Sequence, residues 1–229
     1  MSSATHLITG ASRGIGAALA VELAAPGRVI GINYRSSDAA ARCVAAAVES
    51  KGAKALLLKA DATVDTEVET LFERLPVEGL ATLVCSAGVP PSYERLSETS
   101  PEEFERQWRA QAFSAALFCR RALPAMLKRK SGRIVFVVSS ITEGVAPAYL
   151  ASYVSAKYAL LGLARALQSE VGPRGVSVSC VFPGMTQSDF IKDFPAPIVE
   201  IAREAQGSLD TPQSVARRIA ELLNVESQT

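Results

Sequence analysis

Histidine is almost missing from this sequence: His6 is the only one in 229 residues. No second histidine or nearby cysteine can complete a metal site with it, and at the edge of the first apolar run it is badly placed for a Ser-His-Asp triad. Neither a metal ion nor triad chemistry is therefore expected. The four cysteines, Cys43, Cys85, Cys119 and Cys180, never fall into Cys-x-x-Cys spacing and lie mostly within apolar segments, so they read as small buried hydrophobes. Net charge is also lacking. Lys and Arg number 24 against 23 Asp and Glu, which leaves +1 and no broad field to draw in nucleic acid or an anionic membrane. No run approaches a membrane span, and the start MSSATHLITGASRGIG has neither the basic residues nor the apolar stretch of a signal peptide. A cytoplasmic protein is the expectation. With no repeat, low-complexity tract or linker in view, residues 1–229 read as a single domain.

What is present is alternation. Short β-branched runs (HLITG, RVIGINY, KALLLKAD, ATLVCSAG, GRIVFVVSS, VSVSCVFPG) read as six strands. Between them lie segments with apolar residues at i, i+3, i+4 spacing, and Ser100 before Pro101 offers a helix cap. This order predicts an α/β fold: a doubly wound parallel sheet with helices on both faces and right-handed crossovers. Ligands of such sheets sit beyond the carboxyl ends of the strands, so the loops there are where chemistry should be sought.

The first such loop is TGASRGIG. Gly10, Gly14 and Gly16 permit a tight turn and close backbone approach to a pyrophosphate, with Ser12, Arg13 and Ile15 between them and a helix N-terminus behind. After the second strand, where a carboxylate would hold an unphosphorylated ribose, the sequence is NYRSS. Arg35, together with Arg13, suits a 2′-phosphate that a carboxylate would repel, so the expected cofactor is NADP(H). Asp61, followed by Ala62 in KADAT, is either an acceptor for the adenine amino group or a turn cap. Further on, Tyr153 and Lys157 lie one helical turn apart and share a face, either as a catalytic pair or as two solvated residues. A phenol working near neutral pH would have to be brought down from about 10, and a neighbouring ammonium acts in that direction.

Taken in order, the Thr-Gly-x-x-x-Gly-x-Gly turn, Ala87-Gly88 after strand four, Ser-Ser after strand five, Tyr-x-x-x-Lys thirteen residues later and Pro183-Gly184 after strand six resemble the short-chain dehydrogenase/reductase family. Within it the spacing is most similar to the 3-oxoacyl-acyl-carrier-protein reductases and their polyketide relatives. The resemblance implies an NADPH-dependent ketoreductase in which Tyr153 protonates the carbonyl oxygen and Lys157 tunes it and holds the nicotinamide ribose. Ser140, or less well Ser139, would polarise the same oxygen. It also implies Ser86, Ala87 and Gly88 along the cofactor, Pro183 and Gly184 under the nicotinamide, Thr186 or Ser188 near its carboxamide, and a loop from Ser188 to about Leu209 as a lid.

Three departures stand out. Cys85 and Ser86 occupy positions usually held by Asn. Gln111 replaces the Asn that supports a water-linked proton relay to the lysine. The usual seventh strand with its Asp-Gly-Gly close is not found before Thr229. The substrate implied is a carrier-protein-bound or thioester-bound 3-oxoacyl group, with Lys128, Arg129, Lys130 and Arg174 either docking an acidic carrier or complementing a helix end. A different small ketone is equally compatible with the sequence. A rival reading is a cofactor-binding, catalytically weak subunit of a heteromer with an active paralogue. For assembly, a homodimer through the fourth and fifth predicted helices, residues 101–130 and 152–171, is expected.

Overall fold

The structure is a computed structural model that describes residues 4–144 and 146–225. Each apolar run forms a strand: β1 (Ala4–Ile8), β2 (Arg28–Tyr34), β3 (Lys54–Lys59), β4 (Leu80–Cys85), β5 (Gly132–Val137) and β6 (Val176–Val181). All pair in parallel, in the order β3-β2-β1-β4-β5-β6. Among the described residues β6 is an edge strand and no seventh strand pairs with it.

Helices cover both faces: α1 (Gly14–Glu22), α2 (Asp38–Ser50), α3 (Asp65–Glu73), α4 (Pro101–Trp108), α5 (Ser114–Arg129), α6 (Ala151–Val171), α7 (Ala196–Gln206) and α8 (Pro212–Val225). The period-two alternation of the strands builds two cores. Leu7, Leu83, Ile134 and Phe136 turn to the face covered by α3, α5 and α6, where they meet Phe118 and Leu160. Their sequence neighbours Ile8, Val84 and Val135 turn to the other face, against Leu19 of α1 and Val215 and Ile219 of α8. Each such side chain fully buried contributes about 1.5–3 kcal/mol against chain entropy. No helix among the described residues is long and apolar enough to cross a membrane.

Two segments depart from expectation. The helix predicted over residues 101–130 is interrupted. Ser100 caps α4 as expected by accepting from the Glu103 amide at 3.3 Å, but Arg109–Phe113 forms a π-helical turn before α5 continues. The loop expected from Ser188 to Leu209 is largely helical, because Pro195 caps a segment, APIVEIAREAQ, whose apolar residues fall on one face.

Candidate active site

At the carboxyl end of the sheet a cleft of about 1120 Å³ runs from the glycine turn to Tyr153 and on beneath α7. Gly10 and Gly14 have positive φ of 64° and 56°. A Cβ on Gly10 would lie 2.9 Å from Ala87 Cα, and one on Gly16 2.8 Å from the Gly10 carbonyl oxygen, so the turn can close only as glycine. Behind it α1 begins at Gly14, after Arg13, with no side-chain cap and no acidic residue in its first turn, which leaves amide hydrogens and the positive dipole end facing the cleft. Thr9 stitches this turn to the next strand, its Oγ1 accepting from the amides of Ser86 and Ala87 at 2.9 Å each. Buried Asn33 binds the turn to β3: its Nδ2 donates to the carbonyls of Leu58 and Ala60, and its Oδ1 accepts from the Gly10 amide at 3.4 Å. The residues present thus fit a dinucleotide, with the Ser12, Ile15, Ala62, Ser86, Ala87 and Gly88 positions along the same wall.

Arg13 and Arg35 stand exposed at the rim. Arg13 pairs with Asp189 at 3.6 Å and Arg35 with Asp61 at 3.7 Å. Such solvent-facing pairs are worth little and yield readily to a phosphate. The other carboxylate oxygen of Asp61 accepts from the Thr63 amide and hydroxyl at 2.9 and 2.7 Å, a turn-capping role, while the residue also lines the cleft.

Lys157 is buried, its Nζ donating to the Val137 carbonyl at 3.0 Å and lying 5.6 Å from the Tyr153 ring centroid. Burial lowers the lysine to about 7. Burial also pushes the Tyr153 phenol up to about 12, while a hydrogen bond from Ser139 pulls the other way. The expected downward shift of the tyrosine is therefore not found in the protein alone, because desolvation outweighs the hydrogen bond from Ser139.

The two candidate serines part company here. β5 continues extended through Ser139 (φ −176°, ψ 148°), which points its hydroxyl at Tyr153. Ser140 instead opens a short 3₁₀ turn, is exposed, and engages through its amide, which donates to the Pro183 carbonyl at 2.9 Å.

Gln111 sits in the π turn, 1 % exposed. Its Nε2 donates to Gln107 at 2.9 Å while its buried Oε1 has no partner. Pro183 and Gly184 pass along the cleft floor, and Asp210 holds them there. Its carboxylate accepts from the Gly184 amide at 3.0 Å and from Arg218 at 2.8 Å, while its backbone pairs with Met185 and Gln187. Gln206 adds a bond from the Met185 amide at 2.7 Å. Thr186 and Ser188 line the same wall, and the Thr186 hydroxyl donates to the Gly184 carbonyl.

Lys128, Arg129 and Lys130 lie far from this cleft within the chain, at the end of α5 that leads into the start of β5. Arg174 likewise precedes β6. Arg129 caps the fold by donating to the carbonyls of Val77, Glu78, Leu80 and Ser131. Cys85 and Cys119 are buried as expected, whereas Cys43 is exposed. The sequence reading missed Asn33, Asp210 and Gln206, and it missed the aromatic residues Tyr93, Tyr149, Phe190 and Phe194 around Tyr153. Of these only Asn33 left a trace, as the first residue of NYRSS.

Residues 4–197 match the family model described as short chain dehydrogenase. A chloroplastic NADPH-dependent aldehyde reductase-like protein of Arabidopsis thaliana is 30% identical over 217 residues, 87% of this chain and 79% of its own. A 3-oxoacyl-(acyl-carrier-protein) reductase of Staphylococcus aureus is 30% identical over 185 residues, covering 80% and 74%. Among solved structures, an angucycline C-6 ketoreductase with bound NADP superposes with a TM-score of 0.86 at 31% identity, covering 97% of this chain and 89% of that one.

Proposed function

The chain belongs to the short chain dehydrogenase family, and from that premise we propose that it is an NADPH-dependent ketoreductase with Tyr153 as the proton donor. The observation that carries this reading is the convergence of Tyr153, Ser139 and Lys157 at the far end of the cleft that begins at the glycine turn. NADPH, when bound, supplies the hydride. Tyr153 gives its proton to the carbonyl oxygen, and Ser139 donates a hydrogen bond to the same oxygen as charge develops there. A phenol held near 12 is fully protonated before reaction, which suits the direction of reduction. A lysine near 7 beside it returns a proton to the phenolate downhill. The unpartnered Oε1 of Gln111 would hold a water that links this lysine to solvent, in place of the usual asparagine. Arg13 and Arg35 would exchange their weak carboxylate partners for the 2′-phosphate.

A 3-oxoacyl thioester is the second reading of the substrate, supported by the similarity to the Staphylococcus reductase. Against the weak-subunit reading stands the turn after β4, where the Ser86 and Ala87 amides keep their bonds to Thr9 despite the altered sequence; Gln111 and the six-stranded sheet remain its motives.

The test is NADPH oxidation by the purified chain with a panel of ketones. Tyr153→Phe should lower turnover at least about 100-fold while leaving NADPH affinity within about threefold. Ser139→Ala should also cost on the order of 100-fold and Ser140→Ala far less. NADPH should be preferred over NADH by about tenfold or more. Unchanged turnover in Tyr153→Phe would refute the assignment.

A further inference from the structure

Resting on the ketoreductase reading, the geometry points to a flat ring ketone, fused or aromatic, as the substrate class. Three segments far apart in sequence bring rings to the catalytic end of the cleft. Tyr93 comes from the segment after β4, Tyr149 from the one before α6, and Phe190 and Phe194 from the covering segment before α7. The Tyr93 and Tyr149 ring centroids are 5.3 Å apart, Tyr93 and Phe194 6.5 Å, and Phe190 and Tyr153 5.9 Å, all tilted. The rings thus form two groups in one cleft, Tyr93 with Tyr149 and Phe194, and Phe190 on the catalytic tyrosine itself.

Its construction is costly. Tyr149 is 45% exposed and has a φ of 65°, a conformation that L residues other than Asn and Asp rarely hold. It is tied there by the Glu94 amide, which donates to its carbonyl at 3.0 Å. Despite its contact with Tyr93, nearly half of this strained aromatic side chain faces water within the catalytic cleft, where it is well placed to contact a ligand ring. Ring-to-ring contacts add about two- to tenfold in affinity each, a gain that an alkyl chain does not collect.

Charge argues the same way. Among the described residues lining this end, the charged side chains are the buried Lys157 of the catalytic pair and the exposed Asp189, Lys192 and Asp193 of the covering segment, with Arg13 paired to Asp189. Apart from Lys157 these charges offset one another, so nothing here favours the phosphate of a carrier arm. The ketone would be reduced to the secondary alcohol, its carbon taking the hydride of NADPH, its oxygen taking the Tyr153 proton, and NADP⁺ leaving.

The test compares 2-tetralone with a 3-oxohexanoyl N-acetylcysteamine thioester, scoring kcat/KM with NADPH and, separately, binding to the NADP⁺-loaded protein by calorimetry. The tetralone should win by about tenfold or more and should bind measurably. Tyr93→Leu and Phe194→Leu, which keep apolar bulk but remove a ring, should each lower kcat/KM for tetralone about fivefold more than for the thioester. Since Phe194 lies on a covering segment, its variant answers even if Tyr93→Leu fails to fold. A thioester preference, or equal losses on both probes, would overturn the ring-ketone assignment and leave the reductase reading standing. Tetralone binding without reduction of either probe would fault the reductase reading and keep the ring-ketone site. Absence of tetralone binding would overturn the inference outright.

Discussion

Lys157 carries its amine to the buried floor of the cleft, and the protein bears a cost for keeping it there. In the folded chain the lysine sits near 7 against an ordinary value of 10.5. Between those limits the unfolded chain binds the extra proton, so this residue's contribution to stability rises as pH rises from about 7 to about 10.5. Below about 7 the full cost of burying an ammonium applies. Lys157→Met should therefore stabilise the cofactor-free protein by on the order of 2–4 kcal/mol at pH 6, with the gain shrinking toward pH 10. Thermal melts across that range check it, and a variant that is less stable at pH 6 would show that the Val137 bond and local packing outweigh desolvation. The same residue scale explains the serine. The sequence places two adjacent hydroxyls thirteen or fourteen residues before Tyr153, and nothing in their composition says where the extended backbone of β5 stops. That boundary decides which hydroxyl faces the phenol.

Among elements, the segment that closes the cleft depends on Asp210. The loop from Pro183 to Thr186 is held by the Asp210 carboxylate through the Gly184 amide, and Arg218 of α8 holds the carboxylate in turn. Asp210→Ala should drop the bond to Gly184, let the loop sag and lower kcat about tenfold. Asp210→Asn, which can still accept from that amide, should recover most of the loss. Steady-state kinetics with both variants check this, and full activity in Asp210→Ala would show that Gln206 suffices. This clamp was not legible in the sequence, since an acid in GSLDTPQS looks like any loop residue. The strands were legible, because β-branched runs bounded by turn residues leave few other options, and RVIGINY matches β2 end to end. The π turn at Arg109–Phe113 was not, because its residues keep helical spacing on both sides. The covering helix α7 was hidden by its prolines, which read as loop breakers although one is a helix start. The aromatic wall left no periodic signal at all, being assembled from three loops by the fold.

At the scale of the whole molecule, the outer surface of α5 and α6 carries a groove of about 390 Å³ lined by Ala116, Leu123, Leu127 and Leu163, with Arg120 and Glu170 among its walls. A two-fold axis through such a patch would lay one copy's apolar stripe on the other's and bring each arginine toward the partner's glutamate, so the surface complements itself. These are the helices on which the sequence places a homodimer, and we propose this groove as its interface. Light scattering at micromolar concentration should give about twice the 24.2 kDa chain mass. Ala116→Arg puts a charge on a half-buried position of the groove while leaving the core of α5 untouched, and it should shift the protein toward monomer. Glu170→Arg would set two like charges against each other across the same axis and should weaken the dimer further at low salt than at high salt, as screening restores tolerance. A wild-type monomer would refute the interface. A tetramer that Ala116→Arg reduces to dimers would keep it and point to a second contact, for which the outer edge of β6 is the first place to look.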